Sequence, residues 1–182
     1  MRIIAGKFRS RTLKMVPSES TRETSDKVRG AVFNSLSDSI LNARVLDLFA
    51  GSGSYGIESI SRGSKFTVFN DYKPIAVMTI KENLISLGVL DSVEVIQMDY
   101  QKAVTHLIDK NQLFDVIFLD PPYDFKNYEE LIESLTLITI NGSMICLEVH
   151  KDTKLTLNHS SAFSVYKEKT YGIKKIIYII NN

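Results

Sequence analysis

The chain has 182 residues, 44% of them hydrophobic and 24% charged, with 9 glycines, 4 prolines and a single cysteine, Cys146. Those values exclude a collagen-like or disordered chain, an intramolecular disulfide framework and a cysteine-only zinc site. The longest apolar runs, such as residues 176–180, fall far short of the roughly 20 residues that cross a bilayer, and the basic N-terminus has no apolar signal-like stretch, so the expectation is one compact cytoplasmic domain with a small appendage.

The near-neutral total of +1 hides an asymmetry. Residues 1–30 hold eight Lys/Arg against three acids, a net of +5, which leaves −4 for residues 31–182. A basic arm on an acidic body points to a polyanionic partner met at the arm. On charge alone, a merely solvated terminal segment accounts for it equally well.

Residues 2–16 alternate roughly as a strand pair bending near Gly6-Lys7, with Ile3, Phe8, Leu13 and Val16 as apolar anchors. Residues 17–20 read as a linker, and residues 26–36 as a helix capped by Thr24, Ser25 or Asp26. Strands and helices then alternate: strands at 44–49, 65–70, 93–98, 114–119 and 143–149, helices at 55–62, 73–87, 101–109 and 128–137. Gly88 sits just past the second of those helices, the usual place for a terminating glycine. Residues 163–169 and 171–180 are two more strands, joined too tightly for a crossover helix and therefore antiparallel. The whole reads as an α/β, Rossmann-like, doubly wound and mostly parallel seven-stranded sheet, with residues 1–38 as a basic hairpin-and-helix extension and 39–182 as the main domain. In such a sheet, ligands bind beyond the carboxyl ends of the strands.

Four strand ends carry chemistry. After the first, Gly51, Gly53 and Gly56 spell G-x-G-x-x-G, which lets a cofactor approach the backbone at a helix start. Asp71 ends the second strand, 20 residues after Gly51, where a carboxylate accepts ribose hydroxyl hydrogens. These two features fit either a nicotinamide dinucleotide or S-adenosylmethionine. Asp47, just ahead of the glycines, would repel a pyrophosphate but could contact an amino group, and the chain leaves no room for a dehydrogenase-type substrate domain. Asp99, after the third strand, is placed to read an adenine amino group, to cap the following helix, or both. After the fourth strand comes Asp120-Pro121-Pro122-Tyr123, the most specific signal in the sequence. Two prolines fix an extended turn and remove two donors. The Asp120 carboxylate and the Pro121 carbonyl then present acceptors to an exocyclic amine of a planar base. Tyr123 offers a face on which that base stacks. A plain tight turn explains the prolines but not the acid and the aromatic.

ARVLDLFAGSGSYGIESISRG, Asp71, Asp99 and DPPY together resemble the class I S-adenosylmethionine-dependent methyltransferases of amino nitrogens. RIIAGKFRSRTLKM followed by TRETSDKVRGAVFNSL narrows the resemblance to the RsmD family, guanine-N2 methyltransferases of 16S ribosomal RNA, and it runs in order over nearly the whole chain. It implies that Asp47, Gly51 and Gly53 line the methionine part of the cofactor, that Asp71 holds the ribose, and that Asp99 and the Tyr100 backbone contact adenine. Asp120, Pro121, Pro122 and Tyr123 would form the catalytic corner, and Arg9, Arg11, Lys14 and Arg22 the RNA contacts. The target implied is guanine 966 in that family's usual rRNA numbering, met in an assembling small subunit by a monomer that needs no metal or membrane. Lys73, Glu23 and Gly30 depart from the family pattern. Lys73 makes the ribose region less acidic, and the other two bear on the substrate-side loop. The rival readings are a DNA adenine-N6 methyltransferase, a nicotinamide-dependent oxidoreductase and a non-catalytic RNA-binding or assembly factor.

Overall fold

The computed structural model describes residues 1–17, 25–157 and 162–182. Seven strands form one sheet: β1 (Arg44–Asp47), β2 (Phe66–Asn70), β3 (Val93–Ile96), β4 (Phe114–Leu119), β5 (Thr139–His150), β6 (Phe163–Tyr171) and β7 (Lys174–Asn181). Their spatial order is β3-β2-β1-β4-β5-β7-β6. The first five run parallel, and β7 lies antiparallel to both its neighbours. From β1 the chain winds outward through β2 and β3, then returns to place β4 on the other side of β1. This reversal makes the β1/β4 carboxyl ends the topological switch point where such sheets bind ligands.

The helices are α1 (Asp26–Leu36), α2 (Ser54–Ser61), α3 (Pro74–Leu87), α4 (Tyr100–Asp109) and α5 (Tyr128–Ser134). Strand alternation sends Leu46, Val68, Ile117 and Ile145 to one face, where they pack with Ala103 and Leu107 of α4 and Leu131 of α5. Val45, Val116, Phe118 and Cys146 point the other way, against Val32 and Phe33 of α1 and Tyr55 of α2. Among the capping candidates Ser25 serves for α1, accepting from the Val28 N–H. Gly88 ends α3 in the left-handed conformation.

Two expectations need revision. The N-terminal strand pair reduces to a single antiparallel bridge, Arg2 with Thr12. Three backbone hydrogen bonds still cross the arm, from Ile3 to Arg11, Ser10 to Ile3 and Leu13 to Met1, but nearer the bend the N–H groups turn to the body: Ile4 and Ala5 donate to the buried Glu58 carboxylate at 2.8 and 3.1 Å, and Phe8 donates to Ser61 Oγ at 2.9 Å. Ile3, Phe8 and Leu13 are buried with Ile57, Phe69, Ile80 and Leu84 of the main sheet and its helices. The second revision concerns residues 128–150. Helix α5 stops at Ser134, and β5 begins at Thr139, four residues earlier than the apolar run from Ser143 implied. The extra length is an irregularity between the Phe114–Thr139 and Val116–Met144 pairs. Gly142, at φ +86°, makes that irregularity possible. Ser143 Oγ stabilises it, accepting from the Ile140 N–H and donating to the Phe114 carbonyl.

Candidate active site

The loop after β1 turns directly into α2, and its three glycines have three different reasons to be glycine. Gly51 adopts φ +54°, and a Cβ there would meet nothing within 4 Å, so open space lies beside this backbone. Gly53 is the left-handed N-cap of α2, at φ +81°. Gly56 is a packing glycine, because a Cβ would fall 2.2 Å from the Phe69 ring. The motif thus serves a turn with open space beside it, a helix cap and helix packing in separate positions.

Asp47, the last residue of β1, is buried at 2% exposure, and its Oδ2 accepts the Gly56 N–H at 2.9 Å. Burial pushes its carboxyl up to about 7; the Gly56 hydrogen bond opposes the rise and the charge of Asp71 adds to it. A carboxylate so poorly solvated is stabilised by any cation that arrives. Asp71, beyond β2, accepts the Gly51 N–H at 2.9 Å through Oδ2 and the Lys73 N–H at 2.9 Å through Oδ1. It therefore fixes the glycine turn, and each oxygen has a further lone pair available to a hydroxyl. Asp99 is the N-cap of α4, accepting the Lys102 N–H at 3.0 Å. That bond holds its carboxyl below the usual range. Tyr100 opens α4, and its ring lies 5.6 Å from that of Phe49 and 5.5 Å from that of Phe125.

On the far side of the switch point, Asp47 pairs with Phe118 of β4. Asp120 therefore stands two residues, roughly 6–7 Å, further along the strand direction. Asp120 is half-buried, Pro121 buried and Pro122 exposed, while Tyr123 is 60% exposed. The Phe125 N–H closes the turn on the Pro122 carbonyl at 2.9 Å. A cleft of about 440 Å³, its open mouth included, lies over this corner, lined by Asp120, Pro121, Tyr123, Phe125, Tyr128 and Glu148 among others. The corner thus borders an open cleft rather than packing wholly into the core.

The model of a family described as Conserved hypothetical protein 95 matches residues 1–180. The chain belongs to this family, the RsmD family. Ribosomal RNA small subunit methyltransferase D of Haemophilus influenzae is 37% identical to this RsmD-family chain over 180 residues, covering 95% of it and 90% of the relative. The protein of the same name from Escherichia coli K12 is 33% identical over 177 residues, covering 94% and 85%. A solved structure of a conserved hypothetical protein from Streptococcus pyogenes is 33% identical, with a TM-score of 0.77 over 85% of this chain and 95% of the other.

The basic residues expected to meet RNA divide on inspection. Arg9 is exposed in the N-terminal turn. Arg11 donates to the Ser86 carbonyl at 2.8 Å, and Lys14 pairs with Glu82 at 2.9 Å, both on α3, so part of the arm's charge also fastens the arm to the body. Arg22 lies outside the described residues. Three supporting residues have no role assigned by the sequence, although the Leu147-Glu148 strand end is among the segments that resemble the family. Asn70 is buried and ties the strand ends together, donating to the Leu48 and Met98 carbonyls at 3.1 Å each. Glu58 holds the arm and also pairs with Arg62. Glu148, at the end of β5, accepts from Tyr55 Oη at 3.0 Å and from Lys174 Nζ. Apart from the i,i+4 pairing of Glu58 with Arg62, their partners lie 22 or more residues away along the chain, so no local pattern announces them.

Proposed function

We propose that the protein transfers a methyl group from S-adenosylmethionine to the exocyclic N2 of a guanine in 16S ribosomal RNA, in the context of an assembling small subunit. The observation that carries this reading is the Asp120–Tyr123 corner, open to a cleft at the same switch point as buried Asp47 and the clear backbone at Gly51. The names of the two bacterial relatives support its coarser part, methylation of small-subunit ribosomal RNA.

The residues present fit that cofactor. Asp47 is a desolvated carboxylate suited to the amino group of the methionine portion, Gly51 leaves the backbone open, and Asp71 and Asp99 are the carboxylates for ribose and adenine. When bound, S-adenosylmethionine supplies an electrophilic methyl on a sulfonium. The chain's own part is to hold the base. Asp120 and the Pro121 carbonyl accept the two amine hydrogens, which aims the nitrogen lone pair away from the ring plane. Tyr123 stacks on the base once it has left its helix. Attack precedes proton loss: methylation makes the N–H acidic, and Asp120 or solvent takes the proton late. Rate enhancement comes from positioning and from acceptors already in place. No covalent enzyme intermediate is required, and Cys146 is a buried core residue whose thiol burial pushes up. The basic arm, with Arg9, Arg11, Lys14 and Arg22, holds RNA phosphates, which makes affinity salt-dependent.

The test is to map N2-methylguanine in ribosomal RNA from cells with and without the protein. Loss of one such mark is the expected result. An unchanged set of modifications in every RNA would remove the assignment.

A further inference from the structure

The reaction needs one carboxylate beside the base, yet the cleft is lined by two, Asp120 and Glu148. They are neighbours by construction. Strands β4 and β5 run parallel with Leu119 opposite Leu147 and Phe118 opposite Cys146, so Asp120 and Glu148 are the next pair in register. Alternation places both on the face that carries Phe118 and Cys146. Glu148 is only 5% exposed. A buried acid contributes little to stability compared with an apolar residue of similar size, yet this chain holds Glu148 with some care. The Tyr55 ring, stacked on Phe118 at 4.8 Å, brings its hydroxyl to Oε2, and Lys174 on β7 brings its ammonium to Oε1. Burial works to lower the Lys174 ammonium's pKa, and Glu148 with Asp120 more than reverses it. The ammonium thus bonds Glu148 directly and lies within the electrostatic reach of Asp120. A carboxylate has about four acceptor positions, so being held by Tyr55 and Lys174 is compatible with a further contact toward the cleft.

Two carboxyl groups side by side offer a row of acceptor oxygens. Guanine's edge matches such a row, because its N1–H stands next to the N2 amine, donor beside donor. Adenine presents an acceptor, N1, beside its amine, and that lone pair would face a carboxylate. We infer that Glu148 is a specificity-determining residue that accepts the guanine N1–H while Asp120 holds the N2 amine, so that this pair of strand ends selects guanine over a base with an unprotonated ring nitrogen. This inference rests on the base-methylation reading above and deepens it.

The test replaces the target guanine with 2-aminopurine, which keeps the C2 amine but carries an acceptor at N1. Single-turnover methyl transfer is compared for wild type and Glu148→Gln on both RNAs, with thermal unfolding and S-adenosylmethionine binding measured in parallel. Wild type should prefer guanine by roughly 10- to 100-fold, the discrimination expected of a good paired base contact. E148Q, whose amide can donate to N1, should bring the two rates close together. A purely structural Glu148 would lower both rates and leave their ratio unchanged, and that result overturns the inference. If E148Q does not fold, wild type still decides, because equal rates on guanine and 2-aminopurine contradict it. Equal rates leave the methyltransferase reading intact, whereas no transfer to guanine in any ribosomal RNA removes that reading and this one with it.

Discussion

Asp47→Asn separates the stability of this fold from its proposed chemistry. The carboxyl titrates near 7 in the folded protein, against roughly 3.9 for an unperturbed aspartate. Between those values the folded state holds a proton that the unfolded chain has released. Folding stability from this group is therefore full at low pH and falls as pH rises through the window, the opposite of a salt-bridged acid. About three pKa units at 1.36 kcal/mol each give a loss of about 4 kcal/mol by pH 8. Asparagine keeps an oxygen for the Gly56 N–H and carries no charge, so it avoids that loss. Urea unfolding of both proteins from about pH 4 to pH 8 should show D47N gaining on wild type as pH rises, by a few kcal/mol, and reaching a plateau above pH 7. Titration with S-adenosylmethionine should show the reverse: D47N binds weakly, and wild-type affinity declines below pH 7 as Asp47 takes up its proton. Parallel stability curves for the two proteins would refute the argument, because they would mean that Asp47 is not destabilised by burial.

Other expectations follow from single contacts. Asp120→Ala should lower methyl transfer by at least about 100-fold, on the scale of losing one preorganised catalytic group, while S-adenosylmethionine affinity in calorimetry stays within a few-fold. A large loss of cofactor affinity would place Asp120 in the wrong subsite. Gly56→Ala drives a methyl group into the Phe69 ring, so denaturant unfolding should show a loss of about 1–3 kcal/mol; a neutral result would contradict the packing assigned to this glycine. Arg9→Ala should weaken binding to ribosomal RNA and reduce the log–log salt slope by about one. An unchanged slope would mean that this side chain meets no phosphate.

The strands were legible because RVLDLF and FDVIFL are short apolar runs bounded by turn residues, and β4 came out at Phe114–Leu119 as the pattern implied. Helix α1 announced itself through Ser25 and the spacing of Val28, Val32 and Phe33. Strand–helix alternation then collected Asp47, Asp71, Asp99 and Asp120 at one edge of the sheet without any knowledge of side-chain contacts. What stayed hidden depends on partners far along the chain. Tyr55 and Glu148 are 93 residues apart, and neither side chain carries a local sign of the other. The N-terminal arm is a hairpin only in part for the same reason: Met1, Ile3, Ser10, Arg11 and Leu13 pair across it, but Glu58 and Ser61 capture the N–H groups of Ile4, Ala5 and Phe8 nearer the bend. The early start of β5 was obscured because Asn141-Gly142 reads locally as a turn, although here it sits within the strand as an irregularity.

The central claim is that the Asp120–Tyr123 corner presents a guanine amine to a methyl donor. Its most direct test incubates the purified protein with isotopically labelled S-adenosylmethionine and small-subunit particles from cells lacking the protein, digests the RNA to nucleosides and identifies the labelled product. The account predicts label in N2-methylguanosine at a single site, absent with Asp120→Ala. Label in another nucleoside, or undiminished label with the variant, would contradict it.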